Sequence, residues 1–345
     1  MKWWANIACL VACMGALTAC QRRPLSDPNG LTEVRVTLNT EGIANITDHI
    51  YNPLITPPSI TSDMVRLLVY TPSGTELHSQ VFLSEKSLDV QGQEVLNRRF
   101  ILAPGDYRLL GYNFDVTNTL LRNENAYHSI YAYTEEIARS LYQRVGRSAS
   151  ALDKIYYEPD HLFVARQERL TVVPHSVTEV VEMEAETVVD TYYIQIPIKG
   201  SEHLASKAAG IAVLSGLSQG NRIGANERDE TETAAIYFEM ERSRDEHIEG
   251  DNKEVLCAVF NTFGRVPEVE SELHVTLSVL GRDGTKYEKE VDMTPIFASE
   301  DARERHWLLI DEEWVITPPI TEDDESGGFR PEVDDWDDVE EVIPI

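Results

Sequence analysis

Leu273-His274-Val275-Thr276-Leu277-Ser278-Val279-Leu280-Gly281-Arg282-Asp283-Gly284-Thr285-Lys286-Tyr287-Glu288-Lys289-Glu290-Val291 carries the clearest local pattern in this 345-residue chain. Leu273, Val275, Leu277 and Val279 occupy alternate positions, and Tyr287, Lys289 and Val291 do the same after the turn. Strand side chains point to opposite faces at period two, so such a segment has one buried face. Asp283-Gly284 suits the positive φ of a tight hairpin turn. The stretch reads as two antiparallel strands.

Working outward, the same pattern recurs. Val34, Val36 and Leu38 alternate with polar residues. Met64 to Tyr70 is a strand, Thr71-Pro72-Ser73-Gly74 a turn, and Glu76 to Leu83 the returning strand. Arg99 to Leu102 and Tyr107 to Tyr112 flank a Pro104-Gly105 turn. Glu168 to Glu184 alternates around Pro174, and Thr191 to Ile196 is β-branched and aromatic. Further strands fall at 235–240, 254–260, 306–310 and 314–316, before Pro318-Pro319 ends the pattern. Residues 51–60, with Pro53, Pro57 and Pro58, read as a loop, and so do the polar residues 218–233. Ala208 to Leu217 fits strand or helix, because so short a run has no deciding period.

The one helix expected is Thr134 to Tyr142. Thr134 is placed to cap it, Glu135 and Glu136 lie in its first turn, and Ile137 and Leu141 are four apart. Many strands, little helix and no strand–helix–strand rhythm predict an all-β chain of two tandem antiparallel β-sandwiches, with that helix inserted in the first. The expected domains are residues 31–187 and 188–317.

The amino terminus sets the compartment. Lys2 precedes an apolar run from Trp3 to Ala16, which ends in Leu17-Thr18-Ala19-Cys20. A basic start, a short apolar core and small residues before a cut make a secretory signal over residues 1–19. The core is shorter than the roughly 20 apolar residues that span a bilayer. The last four residues resemble the lipobox of bacterial lipoproteins, in which the cysteine thiol takes a diacylglycerol and cleavage falls just before it. That resemblance puts lipid on Cys20 and cleavage between Ala19 and Cys20. An ordinary signal peptide with an incidental cysteine is the alternative. Residues 20–30, with Pro24, Pro28, Asn29 and Gly30, read as a tether.

Of four cysteines, Cys9 and Cys13 leave with the signal, Cys20 carries lipid, and Cys257 stays in an apolar run as a small core residue. The mature chain thus has no internal disulfide and relies on its hydrophobic core. A formal net charge of −29 argues against nucleic-acid binding and against docking on an anionic membrane through a basic surface. Residues 318–345 form a tail dense in Asp and Glu, expected to be solvated and disordered, without the residue order of a calcium loop.

Chemistry is sparse. There is no zinc-protease, nucleophile-elbow, P-loop or dinucleotide motif, and the nine histidines show no metal-ligand spacing. No catalytic residue, metal ligand or cofactor is assigned. Glu158-Pro159-Asp160-His161 is the one acid–histidine cluster, but neighbours on a strand face opposite ways. Tyr127, Tyr131, Tyr133, Tyr142, Tyr156 and Tyr157 are either core packing or a carbohydrate platform.

Five stretches resemble a family of uncharacterised Bacteroidetes lipoproteins: Cys20 to Leu25, Pro104-Gly105-Asp106-Tyr107, Ile155 to Leu162, Asp190 to Gln195, and Arg305 to Asp311. That family is similar to the fimbrillin and fimbrial-anchor superfamily. The resemblance implies two transthyretin-like, Greek-key sandwiches and a non-enzymatic, outer-membrane lipoprotein at the cell surface. It would work by protein–protein contact with fimbrial subunits, by strand addition if it follows the superfamily. Gln21-Arg22-Arg23 is basic where surface lipoproteins of the phylum often carry acidic residues, which leaves a periplasm-facing position open. A glycan-binding surface lipoprotein of a nutrient importer and a β-sandwich hydrolase are the competing readings. The first calls for an exposed aromatic platform, the second for a cleft with two close carboxylates.

Overall fold

The structure, a computed structural model, describes residues 30–40, 50–56, 62–114, 116–138, 154–174, 177–205, 210–231, 233–266 and 273–317. Residues 1–29, which include Ala19 and Cys20, the tail from 318 and residues 139–153 lie outside the described residues.

The first half contains β1 (Thr32–Asn39), β2 (Val65–Tyr70), β3 (Leu77–Leu83), β4 (Glu85–Leu88), β5 (Glu94–Leu102), β6 (Gly105–Asn113), β7 (Thr119–Arg122), β8 (Tyr131–Thr134), β9 (Ile155–Tyr157), β10 (Phe163–Val172) and β11 (Glu179–Thr187). Eight of these form one sheet in the order β3-β2-β6-β10-β11-β1-β5-β4. β11 is its corner: residues 185–187 pair antiparallel with β10, and residues 179–184 pair parallel with β1. The sheet thus folds over on itself. Period two sends Val34, Val36 and Leu38 inward, against Leu67, Leu96, Leu109 and Phe163.

The second half contains β12 (Asp190–Lys199), β13 (Gly210–Ser218), β14 (Gly220–Arg222), β15 (Glu227–Arg228), β16 (Thr233–Arg244), β17 (Glu254–Thr262), β18 (His274–Leu280), β19 (Lys286–Asp292), α1 (Thr294–Phe297), α2 (Glu300–Arg305), β20 (Trp307–Leu309) and β21 (Trp314–Val315). Its sheet runs β19-β18-β13-β16-β17-β12-β20. The long β16 pairs with β13 through its leading residues and with β17 through residues 241–244, so it serves both layers. Between them lie Ile194, Ile196, Leu214, Ile236, Leu256, Val275 and Leu277, with the Phe238 and Phe260 rings stacked 4.1 Å apart.

The hairpin expected at Asp283-Gly284 forms, with Val279 opposite Tyr287 and Val275 opposite Val291, and its turn closes between Gly281 and Thr285. The segment 210–218 resolves to strand. The Asp283 carboxylate ties the turn by accepting from the Thr285 amide and hydroxyl.

Residues 134–138 of the expected helix are extended. Thr134 ends β8, the Ile137 amide donates to Ile155, and the Tyr157 amide donates to Glu135. Pairing with β9 satisfies the backbone that a helix would have satisfied locally, and this tertiary contact outweighs the capping pattern. The described α-helices are α1 and α2, in the second half. α2 is capped by Ser299, whose side chain accepts from Ala302, and it ends at His306 with φ 59°.

Most pairings are antiparallel. β1–β11, β9–β16, β12–β20 and β12–β21 are parallel, and each joins strands distant in sequence, as parallel neighbours must be. The halves also interlock. β9, from the first, adds to β16 of the second, while β14 and β15 complete a small sheet, β15-β14-β8-β7, with two strands of the first. Tyr70, Tyr112, Tyr127, Ile130 and Val164 pack with Val188, Val189, Ile223 and Phe263, so an apolar core joins the two halves. Residues 50–56 cross to the outer face of the second sandwich, where Tyr51 lies against Tyr193, His247 and Trp307.

Candidate functional site

A cleft of about 590 Å³ lies where the two sandwiches meet. Thr187, Val188 and Asp190 line it from the β11–β12 connection, and Asn221, Asn226, Glu227, Arg228 and Glu230 line it from the β14–β15 hairpin. The hairpin takes this shape because Asn226 accepts a left-handed turn conformation, φ 54°. Arg228 reaches Asp190 at 2.9 Å, and Arg222 stands 4.0 Å from Glu227.

Beneath the cleft, Asp229 accepts from the Tyr131 hydroxyl at 2.8 Å and from the Thr231 amide and hydroxyl. Burial works to raise the Asp229 pKa, but the bonds from Thr231 and Tyr131 prevail and hold it below the usual carboxylate range. Arg166 donates to the Ile223 carbonyl at 2.8 Å and to Glu186 at 2.9 Å, fixing β10 against the hairpin. Asn221 is 2% exposed, and its amide oxygen has no partner.

A second hollow, about 380 Å³, lies on the first sandwich between β11, β1 and the β4–β5 turn. Arg35 sits in it, flanked by exposed Leu88, Val90 and Val180. At the far end of the second sandwich, β19 pairs only with β18 among the described residues.

The structure separates the acid–histidine cluster. Asp160 accepts from the backbone amides of Thr117, Asn118 and Thr119 and so organises the entry to β7. The Glu158 carboxylate takes the Asn261 amide at 3.1 Å; burial, against that bond and with the nearby Asp160 and Glu239 charges, pushes its pKa up to about 7. Neither ring nitrogen of His161 has a partner, and burial lowers its pKa to about 4. No acid–base pair is assembled from these three residues.

Tyr127, Tyr131 and Tyr156 are buried, Tyr133 and Tyr157 half-buried, and Tyr142 lies outside the described residues. Those described pack into the fold and do not make an exposed shelf. Cys257 is buried, and burial pushes its thiol up to about 11. Among the described residues no group of three or more His, Cys, Asp or Glu side chains is placed to hold a metal. Among them, too, no helix is long and apolar enough to cross a membrane.

The cleft residues fall largely in 218–233, read from sequence as a plain loop. Gly220, Gly224 and Asn226 were the available signal, since such residues at short intervals mark a hairpin. What escaped was the partner, β8, far earlier in the chain by the register Asn221–Ala132.

An interlocked pair of β-sandwiches with a polar junction cleft is the class of protein the fold defines. Residues 56–239 match the family described as Domain of unknown function (DUF5119), and the chain belongs to that family. Over 95% of its length it is 24% identical to 94% of a Bacteroides ovatus protein named "Putative fimbrium anchoring subunit Fim4B". It shares its fold with the crystal structure of a "putative adhesin" from Bacteroides ovatus, at a TM-score of 0.56 and 21% identity, covering 88% of this chain and 98% of that one. Against the fimbrial anchor protein Mfa2 of Porphyromonas gingivalis the TM-score is 0.42 at 12% identity, covering 82% and 90%.

Proposed function

We propose that the chain is a non-enzymatic, fimbrium-associated lipoprotein that anchors surface fibres and is held to the outer membrane by lipid on Cys20. The observation that carries this reading is the reach of the likeness to Fim4B: it runs through nearly the whole of both chains, not one shared module. Leu17-Thr18-Ala19-Cys20 supports the lipid attachment, since two or three acyl chains hold a protein firmly at about 0.8 kcal/mol per buried CH₂.

Fibre contact by strand addition belongs to the proposal. β19, seven residues long, is the terminal strand of its sheet among the described residues, and a partner strand adds to such an edge through main-chain hydrogen bonds. Lys286, Lys289 and Glu290 along that strand discourage promiscuous pairing, so a partner needs a complementary charge pattern.

The test is made in cells. Cys20→Ala is expected to abolish incorporation of labelled fatty acid, release the protein from the envelope and shed fibres into the medium. Deletion of the gene with fibre length and attachment unchanged overturns the reading.

A further inference from the structure

We infer that the pole of the first sandwich where the tether joins β1 rests on the bilayer surface and inserts an apolar rim among the lipids. This rests on the lipid attachment at Cys20 proposed above and adds which face of the body meets the membrane.

Several segments meet at that pole. Gly30 leads into β1, and a Cβ on it would lie 3.9 Å from Pro104 and 4.0 Å from Pro174. The Thr32 hydroxyl donates to the Val173 carbonyl at 2.8 Å. Glu33 stands opposite Ile101 of β5 and accepts from the Thr178 hydroxyl at 2.7 Å. The side chains gathered there are apolar and face water. Ile101 is 62% exposed, Val173 45% and Val177 69%, with Pro104 and Pro174 exposed beside them. Exposed apolar side chains that cluster mark a contact surface.

Where the chain enters selects the contact. Gly30 follows Cys20 by ten positions, a span of at most about 35 Å even when fully extended. A lipid on Cys20 therefore keeps this pole beside the bilayer, and so short a link gives even a weak contact a high effective concentration. The second sandwich is joined at the other end of the same strands. β10 runs from Phe163, next to Val164 in the core shared by the two halves, to Val172 at the rim. β11 runs from Glu179 at the rim to Thr187, where the chain leaves for β12.

Charge agrees with a lipid surface. Glu33 and Asp106, acids beside the rim, are met by Arg99 at 3.6 Å and Arg169 at 3.4 Å, so they do not face lipid phosphates unopposed. Those arginine side chains are 60% and 75% exposed. Their stems can lie along the rim while the guanidinium groups stay at headgroup level.

The test uses the chain from Cys20 onward, coupled through the Cys20 thiol to a maleimide phospholipid in phosphatidylcholine vesicles. Cys257 is buried and is spared. The anchor is thus supplied chemically, whether or not cells acylate the chain. Val177→Trp places an indole on the rim, and Leu280→Trp places one at an exposed site of the second sandwich. Brominated phosphatidylcholine is expected to quench the added emission of the first about twofold, because interfacial apolar groups sit about 5–10 Å into the headgroup and acyl boundary. The second is expected to be unaffected. Ile101→Gln with Val173→Gln, both at exposed positions, is expected to abolish the quenching seen with Val177→Trp.

Equal quenching at the two sites, or quenching that survives the two glutamines, overturns the inference. So does a dimer of the uncoupled chain, seen by sedimentation and dissolved by the same glutamines, which assigns the rim to a second copy. Cys20→Ala protein that stays with the envelope in cells overturns the lipid reading, and with it this contact in the cell, whatever the vesicles show. Acylation in cells together with vesicle indoles that do not differ overturns the docking surface alone.

Discussion

Asn52 donates its side-chain amide to the Arg244 carbonyl at 2.9 Å and to the Ser243 hydroxyl at 3.2 Å, closing a gap of 192 residues. Asn52 lies between β1 and β2 of the first sandwich and is 1% exposed; Arg244 ends β16 of the second. Its own oxygen accepts from the Leu54 amide at 3.0 Å, so one side chain shapes its local turn and fastens it across the molecule.

Asn52→Ala removes these bonds and leaves the Arg244 carbonyl without this donor. The expected loss is about 2 kcal/mol of unfolding free energy, read by denaturant titration. A variant as stable as the parent shows that residues 50–56 lie on the second sandwich without holding it.

Gly224 is needed for closeness. A Cβ there would collide with the backbone oxygen of Tyr127, the point where the β14–β15 hairpin meets the first half. Gly224→Ala is expected to cost about 3 kcal/mol, since backbone on both sides must move. A thermal midpoint unchanged by the substitution rules out this approach in solution.

Glu158 and His161 give stability opposite pH slopes. Between its ordinary value of 4.5 and about 7, Glu158 holds a proton when folded that it loses when unfolded. Its effect is therefore to lower stability as pH rises through that window. His161, depressed from 6.5 to about 4, is neutral when folded and charged when unfolded, so it lowers stability as pH falls through that range. Glu158→Gln is expected to gain on the parent most above pH 7, and His161→Leu most below its folded value of about 4. Unfolding midpoints across pH check both; variants that run parallel to the parent refute the assignment.

Cys257 is expected to resist iodoacetamide at neutral pH in the native protein, because its thiol is buried and its pKa stands near 11. Denaturant then exposes it to full alkylation, scored by intact mass. Rapid native labelling means that the outer face of β17 opens.

The features legible in sequence were those whose causes are local. The β18–β19 hairpin follows from alternate apolar positions flanking turn residues, and the alternating residues of the two strands, Val279 and Tyr287, Val275 and Val291, stand opposite each other. β1 was legible for the same reason. Thr134 to Ile137 was misread because a cap, two acids and a four-residue apolar spacing also fit an extended segment whose partner, β9, lies well downstream. Asn52 sits beside Pro53 in what composition marks as loop, and nothing nearby points to Arg244. The junction cleft was hidden likewise: its walls come from segments that meet only after both sheets have formed.

The exchange of β9 for β14 and β15 bears on force. A tug applied at opposite termini does not separate a pair of beads on a string. It must shear the β9–β16 register at Ala235–Ile155 through Tyr237–Tyr157, and at the same time draw Asn221 from Ala132. The chain is spliced like rope, and a molecule held at one end and pulled at the other yields as a single piece.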